Sequence, residues 1–183
     1  MRAFLVFFFG ILFISCSSKT SLQDEFNCST SSINKLELVK DMKSVFTLQL
    51  PKNWKTNLFY DNVQSSIYSA DTTKQLTETT ILDVTLIENS VNFDDTFKLN
   101  FEQNQLQKKL VVTTSKNATI INKPTFYFIS KGEKNNFPYQ SLDVYIRMNE
   151  SNFILAKAEI YGDSLVNKRF CDAVNLIEKI KLQ

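Results

Sequence analysis

Histidine is absent from all 183 residues. That removes the commonest general base, proton shuttle and metal ligand, so neither a Ser-His-Asp nor a Cys-His site can form. No phosphate-binding glycine loop, GxSxG, HExxH or zinc-type spacing occurs either. There is no CxxC pair, which argues against a redox enzyme. Excess charge is also missing: 21 basic against 19 acidic side chains give a formal net charge of +2. Such a balance gives no reason to expect nucleic acid, or strong attraction to anionic lipid. No repeat longer than secondary-structure periodicity is present. These absences point away from an enzyme and leave no motif for a metal or cofactor.

What is present begins at the N-terminus. Arg2 is followed by an apolar run from Ala3 to Ile14, interrupted only by Gly10. As a helix this run would span about 18 Å, too short for a hydrocarbon core of ~30 Å. Residues 1–15 therefore read as a secretory signal peptide. Phe13, Ile14, Ser15 and Cys16 resemble a bacterial lipobox, although Phe13 stands where leucine is usual. The resemblance implies a diacylglyceryl thioether on Cys16, cleavage before it, and acylation of the new amine. It places the chain in a bacterial cell envelope, lipid-anchored and periplasm-facing. Residues 16–32 are rich in serine and threonine without sustained periodicity, and read as a flexible tether.

With Cys16 acylated, two thiols remain, Cys28 and Cys171. An oxidising envelope and an even remainder point to a disulfide between them; two buried free thiols are the alternative. The rest, residues 33–183, has the size of one domain.

Alternation of apolar and polar side chains predicts strands over residues 36–40, 45–50, 56–60, 65–70 and 81–87. The period then changes. Phe93, Phe97 and Phe101 are four apart, with Leu99, Leu106 and Leu110 on an adjoining stripe, so residues 93–110 read as an amphipathic helix capped by Asn92 or Asp94. Strands follow over 118–122, 125–131, 139–148 and 153–161, with residues 132–138 as a hairpin connection. Asp163 can cap a final helix over 164–181, whose apolar face carries Val166, Phe170, Ala173, Val174, Ile177 and Ile180. Consecutive strands can pair as hairpins, and both helices must bury their stripes on the sheet. The expected fold is α+β, mainly antiparallel, with two packed helices.

Phe46, Pro51 and Trp54 lie in a strand and turn, Phe-Thr-Leu-Gln-Leu-Pro-Lys-Asn-Trp, that resembles the opening of the PsbP/Mog1-like superfamily. The resemblance implies an α/β/α sandwich. Pro51 would end the strand and Trp54 would fold back over the sheet edge. With the lipobox, it implies a non-catalytic lipoprotein, membrane-bound through its N-terminal lipid, that binds or scaffolds another envelope protein. Tyr60, Tyr68 and Phe137 are candidate contacts. The alternative is a small-ligand or cation-binding lipoprotein, with oxygens at Asn92, Asp94 and Asp95. An enzyme would need two of Glu78, Asp83, Glu88, Asp143 and Glu159 to converge in a cleft.

Overall fold

The computed structural model describes residues 21–29, 33 and 35–183. The expected signal peptide and the lipidation candidate Cys16 lie outside these residues. Among the described residues ten strands form: β1 (Leu36–Lys40), β2 (Phe46–Pro51), β3 (Lys55–Tyr60), β4 (Gln64–Ala70), β5 (Thr80–Ile87), β6 (Leu110–Ile120), β7 (Lys123–Lys134), β8 (Phe137–Arg147), β9 (Phe153–Tyr161) and β10 (Lys181–Leu182). The helices are α1 (Leu22–Glu25), α2 (Asp95–Gln107) and α3 (Val166–Ile177). β1, β2 and β10 make a three-stranded sheet, and the other strands a seven-stranded sheet in the order β3-β4-β5-β9-β8-β7-β6. Neighbouring strands pair antiparallel throughout.

Strand periodicity places the two long helices on opposite faces. Along β7, Tyr127 and Ile129 join the main core with β2 and α3, while Phe126 and Phe128 join a second cluster with Phe97 and Phe101 of α2. Successive side chains point to opposite faces of a strand, so the seven-stranded sheet lies between the helices. The expected α+β, mainly antiparallel, α/β/α arrangement is present. On β9, Ile154, Ala156, Ala158 and Ile160 are fully buried on the α3 side.

Asp94 caps α2, its Oδ1 accepting from the Phe97 N–H at 2.8 Å. The expected phenylalanine stripe packs down: Phe101 stacks on Phe128 with centroids 3.8 Å apart, and Phe97 meets Tyr145 edge-on at 5.0 Å. The adjoining leucine stripe does not. The buried line runs on from Phe101 to Gln105, four residues later, which turns Leu99 and Leu106 out to solvent. Leu110 is buried, but as the first residue of β6.

Three further expectations are corrected. Asp163 does not cap α3. Gly162 turns the chain at φ 73° and the N-cap position falls to Leu165, at φ 48° and without a side-chain cap. The Arg169 guanidinium instead binds the carbonyls of Ser164, Thr79 and Tyr161, tying the start of α3 to β5 and β9. Second, the β7–β8 connection is much tighter than residues 132–138. Both strands run on to a two-residue turn at Asn135 and Asn136, whose φ values of 54° and 63° suit the right-handed twist of a hairpin.

Third, residues 21–29 are not part of a free tether. Ser21 caps α1 through the Asp24 N–H at 3.0 Å, and Leu22 is fully buried in the main core. Phe26 meets Tyr127 and Phe170 edge-on at 5.3 and 5.0 Å. The Leu22 and Gln23 N–H groups both donate to Glu178 Oε1, at 2.5 and 3.3 Å. One buried and one half-buried apolar side chain in a polar stretch produce no periodicity, so the docking was invisible to pattern.

Candidate functional site

The disulfide joins Cys28, just beyond α1, to Cys171 in α3, with Cα atoms 5.2 Å apart. It clamps the N-terminal segment to the helix that Glu178 follows. Phe46 of the expected motif is fully buried in β2. Pro51 ends that strand, and its carbonyl accepts from the Trp54 N–H at 3.0 Å, closing the turn into β3. Trp54 is half-buried against the main core and lines a cavity beside the start of α3. Among the described residues, no helix is long and apolar enough to cross a membrane.

Three of the five candidate carboxylates come to one face of the large sheet. Asp83, Lys157 and Asp143 lie side by side across β5, β9 and β8, and Glu159 is two residues along β9 from Lys157. Glu88 lies at the far end of β5 and pairs with Lys43 at 2.6 Å, and Glu78 sits on the loop before β5. Each carboxylate on the shared face is held by its own neighbours. Thr85 donates to Asp83 at 2.9 Å and Ser141 to Asp143 at 2.8 Å. Glu159 takes Lys157 at 2.6 Å, Lys134 at 3.2 Å and the Tyr161 hydroxyl at 3.0 Å.

The electrostatics follow from these partners. Burial pushes the Asp143 and Asp83 carboxyls up, more strongly than Lys157 pulls them down. Burial also works to raise Glu159, but Lys157, Lys134 and Tyr161 outweigh it and hold the carboxyl at about 2. Lys134 lies 4.9 Å over the Tyr139 ring and 5.4 Å over Tyr161. No two of these carboxylates share a hydrogen-bond partner among the described residues. The face is a polar seam, saturated from within. At the other expected cluster, Asp94 caps α2 and Asp95 pairs with Lys98 at 3.0 Å, so a helix terminus accounts for both acids.

The β3–β4 hairpin is different. β3 is an outer strand of the large sheet, and Leu58, Phe59 and Tyr60 are 39, 57 and 65 % exposed. Consecutive residues point to opposite faces, so the corner of the sheet is bare on both sides. Val63, in the turn, is exposed as well. Asp61 fixes that turn by accepting from the Val63 and Gln64 N–H groups at 2.8 and 2.9 Å. The opposite outer strand, β6, carries a bulge between Val112 and Thr114 and a lysine at 116, two devices that discourage strand addition. β3 pairs in unbroken register with β4 and has only Lys55 at its start. Of the three aromatic candidates, Tyr60 belongs to this corner. Tyr68 sits on the polar seam opposite Asp83, and Phe137 opens β8 at the far end of the sheet. Leu58, Phe59 and Val63 were missed; a run of three large apolar side chains before an Asp-Asn turn was the available signal.

No family model matches the sequence, and no curated protein matches it. Solved structures do. The chain is similar to the cyanobacterial PsbP (CyanoP) of Synechocystis, with a TM-score of 0.56 and 10 % identity over 85 % of this chain and 97 % of that one. It is also similar to the Ran-binding protein Mog1p of Saccharomyces cerevisiae, with a TM-score of 0.52 and 12 % identity over 80 % of this chain and 95 % of that one. The fold is PsbP/Mog1-like.

Proposed function

We propose that this PsbP/Mog1-like domain is a non-catalytic envelope lipoprotein, anchored through Cys16, that binds or scaffolds a protein partner at the β3–β4 hairpin. The observation that carries the reading is the bare corner formed by Leu58, Phe59, Tyr60 and Val63 on an unprotected outer strand. Such an edge offers a partner main-chain hydrogen bonds as well as apolar contact, so an extended segment can add to it as a further strand. The Saccharomyces neighbour is named for binding Ran, which supports protein recognition as a use of this fold. Fold likeness transfers no partner.

The docked N-terminal segment changes what the anchor does. Only four residues lie between Cys16 and Ser21, so the five steps reach about 18 Å when fully extended. A lipid at Cys16 would hold the α1 side of the domain close to the bilayer instead of leaving it on a long leash. Each buried CH₂ of the acyl chains adds about 0.8 kcal/mol to membrane attachment.

Photo-crosslinking in native membranes tests the partner. A photoreactive residue at Phe59 or Val63 should give one discrete adduct, while the same residue at Leu106, equally exposed on α2, should give none. Adducts from Leu106 alone, or none from either hairpin position, would overturn the assignment.

A further inference from the structure

At the other end of β3, away from the exposed corner, lies a cavity of about 730 Å³. It opens between the Pro51–Trp54 turn, the loop from β4 to β5, and the first turn of α3. Its buried wall carries Asp71, Thr79, Thr80 and Arg169. These groups are fixed in place. Arg169 is held by three backbone carbonyls, and Asp71 accepts from both the N–H and the hydroxyl of Thr73, at 3.1 and 2.6 Å. The rim differs: the side chains of Asn27, Lys74, Glu78 and Asn167 make no hydrogen bond among the described residues. Trp54 supplies the one aromatic surface among the lining residues, beside the smaller apolar side chains of Ile33 and Leu165.

The lining narrows the ligand. Three cations (Lys74, Lys168, Arg169) face three anions (Asp71, Glu78, Asp172), so neither an anion nor a cation is favoured overall. A phosphate would meet carboxylates, and a wholly apolar molecule would strand the charged rim. A neutral molecule with many hydroxyls can both donate to the carboxylates and accept from the amides and ammonium. It also needs an apolar face for the indole. A pyranose ring has both, and the volume suits about two or three such rings. We infer that this cavity binds a short neutral oligosaccharide, with a sugar ring against Trp54 and its hydroxyls on the Asn27, Glu78 and Asn167 side chains. The inference is independent of partner binding at the hairpin, which lies at the opposite end of β3.

Trp54 is the only tryptophan in the sequence, so its fluorescence reports on the cavity directly. The full chain, in a non-glycosidic detergent, is titrated with cellobiose, maltotriose and triacetylchitotriose, and separately with inorganic phosphate. At least one saccharide should shift the Trp54 emission along a saturating curve, and phosphate should not. Glu78→Ala and Asn167→Ala alter exposed side chains and should keep the parent melting temperature; at least one should weaken that saccharide about fivefold, the worth of one neutral hydrogen bond. The inference is overturned if no saccharide moves the emission by about 10 mM. It is equally overturned if phosphate alone moves it, or if both variants bind like the parent.

Discussion

Opening the Cys28–Cys171 bridge should lower stability sharply while leaving the sheet folded. The two cysteines are 143 residues apart in sequence. The chain-entropy relation for a loop of that length gives about 17 cal/mol/K, or about 5 kcal/mol at 25 °C, as the constraint removed from the unfolded chain. For a domain of this size each kcal/mol corresponds to about 2–4 °C, so the melting temperature should fall by about 10–20 °C. The native state is affected as well. Without the bridge, the segment carrying Leu22 and Phe26 is held by burial, by the two hydrogen bonds to Glu178, by Lys116 and Tyr127 on Glu25, and by Asn175 donating to the Ser29 carbonyl at 3.3 Å. Burying a leucine side chain contributes about 2 kcal/mol, too little to keep that segment closed as firmly as a covalent link. The Cys28→Ser/Cys171→Ser variant, melted by circular dichroism beside the parent chain with and without reductant, measures the effect. Hydrogen exchange should show faster opening of residues 21–29 in the variant while β9 stays protected. A change in melting temperature below about 2 °C would refute the reasoning, because the loop would then not be closed in the oxidised chain.

The polar seam gives two predictions of opposite sign. Glu159, usual value 4.5, is held at about 2, so it stabilises the fold above pH 4.5 and loses that contribution as pH falls towards 2. The shift corresponds to about 3 kcal/mol; Glu159→Gln should lower stability at pH 7 and flatten its dependence between pH 5 and 2 in urea denaturation. Asp143 is raised, so its ionised form costs stability as pH rises through the carboxylate range. Asp143→Asn keeps an acceptor for Ser141 and leaves Lys157 paired with Glu159, so it should be neutral or stabilising by about 1 kcal/mol at pH 7. A loss of more than that would show that the charge is needed. Gly132→Ala places a methyl 2.6 Å from the Lys109 carbonyl oxygen and 2.8 Å from Leu110 Cδ2, and should cost about 1–3 kcal/mol by thermal melting.

Much of the architecture was legible because burial alternates with strand period. β9 was read at its observed bounds: Ala156, Ala158 and Ile160 alternate with Lys157 and Glu159, and Gly162 ends the run. The α2 stripe was read correctly at Phe97 and Phe101; Phe93 joins the same cluster from ahead of the helix, and the leucines suggested too wide a face. Residues 132–138 were expected to form the β7–β8 connection, yet Gly132 and Pro138 both lie within strands. Gly132 is required by the close Lys109 carbonyl, and the Pro138 carbonyl accepts from the Gly162 N–H at 2.7 Å. The candidate sites were less legible. Asp83, Asp143 and Glu159 were named individually, but only strand register shows that they share one face. The cavity gathers four separated segments around Trp54, a grouping no local pattern contains. The docking of Leu22 depends on α3, about 150 residues away, and on a disulfide partner that composition could suggest but not position.

The proposed anchor is a lipid at Cys16 that would carry this domain to the envelope membrane. Intact-mass spectrometry of the protein purified from native membranes tests that claim most directly. The expected mass is that of the chain from Cys16 to Gln183 plus a diacylglyceryl group and an amide-linked acyl chain. A mass showing an unmodified Cys16, with residues 1–15 retained or cleaved elsewhere, would contradict it.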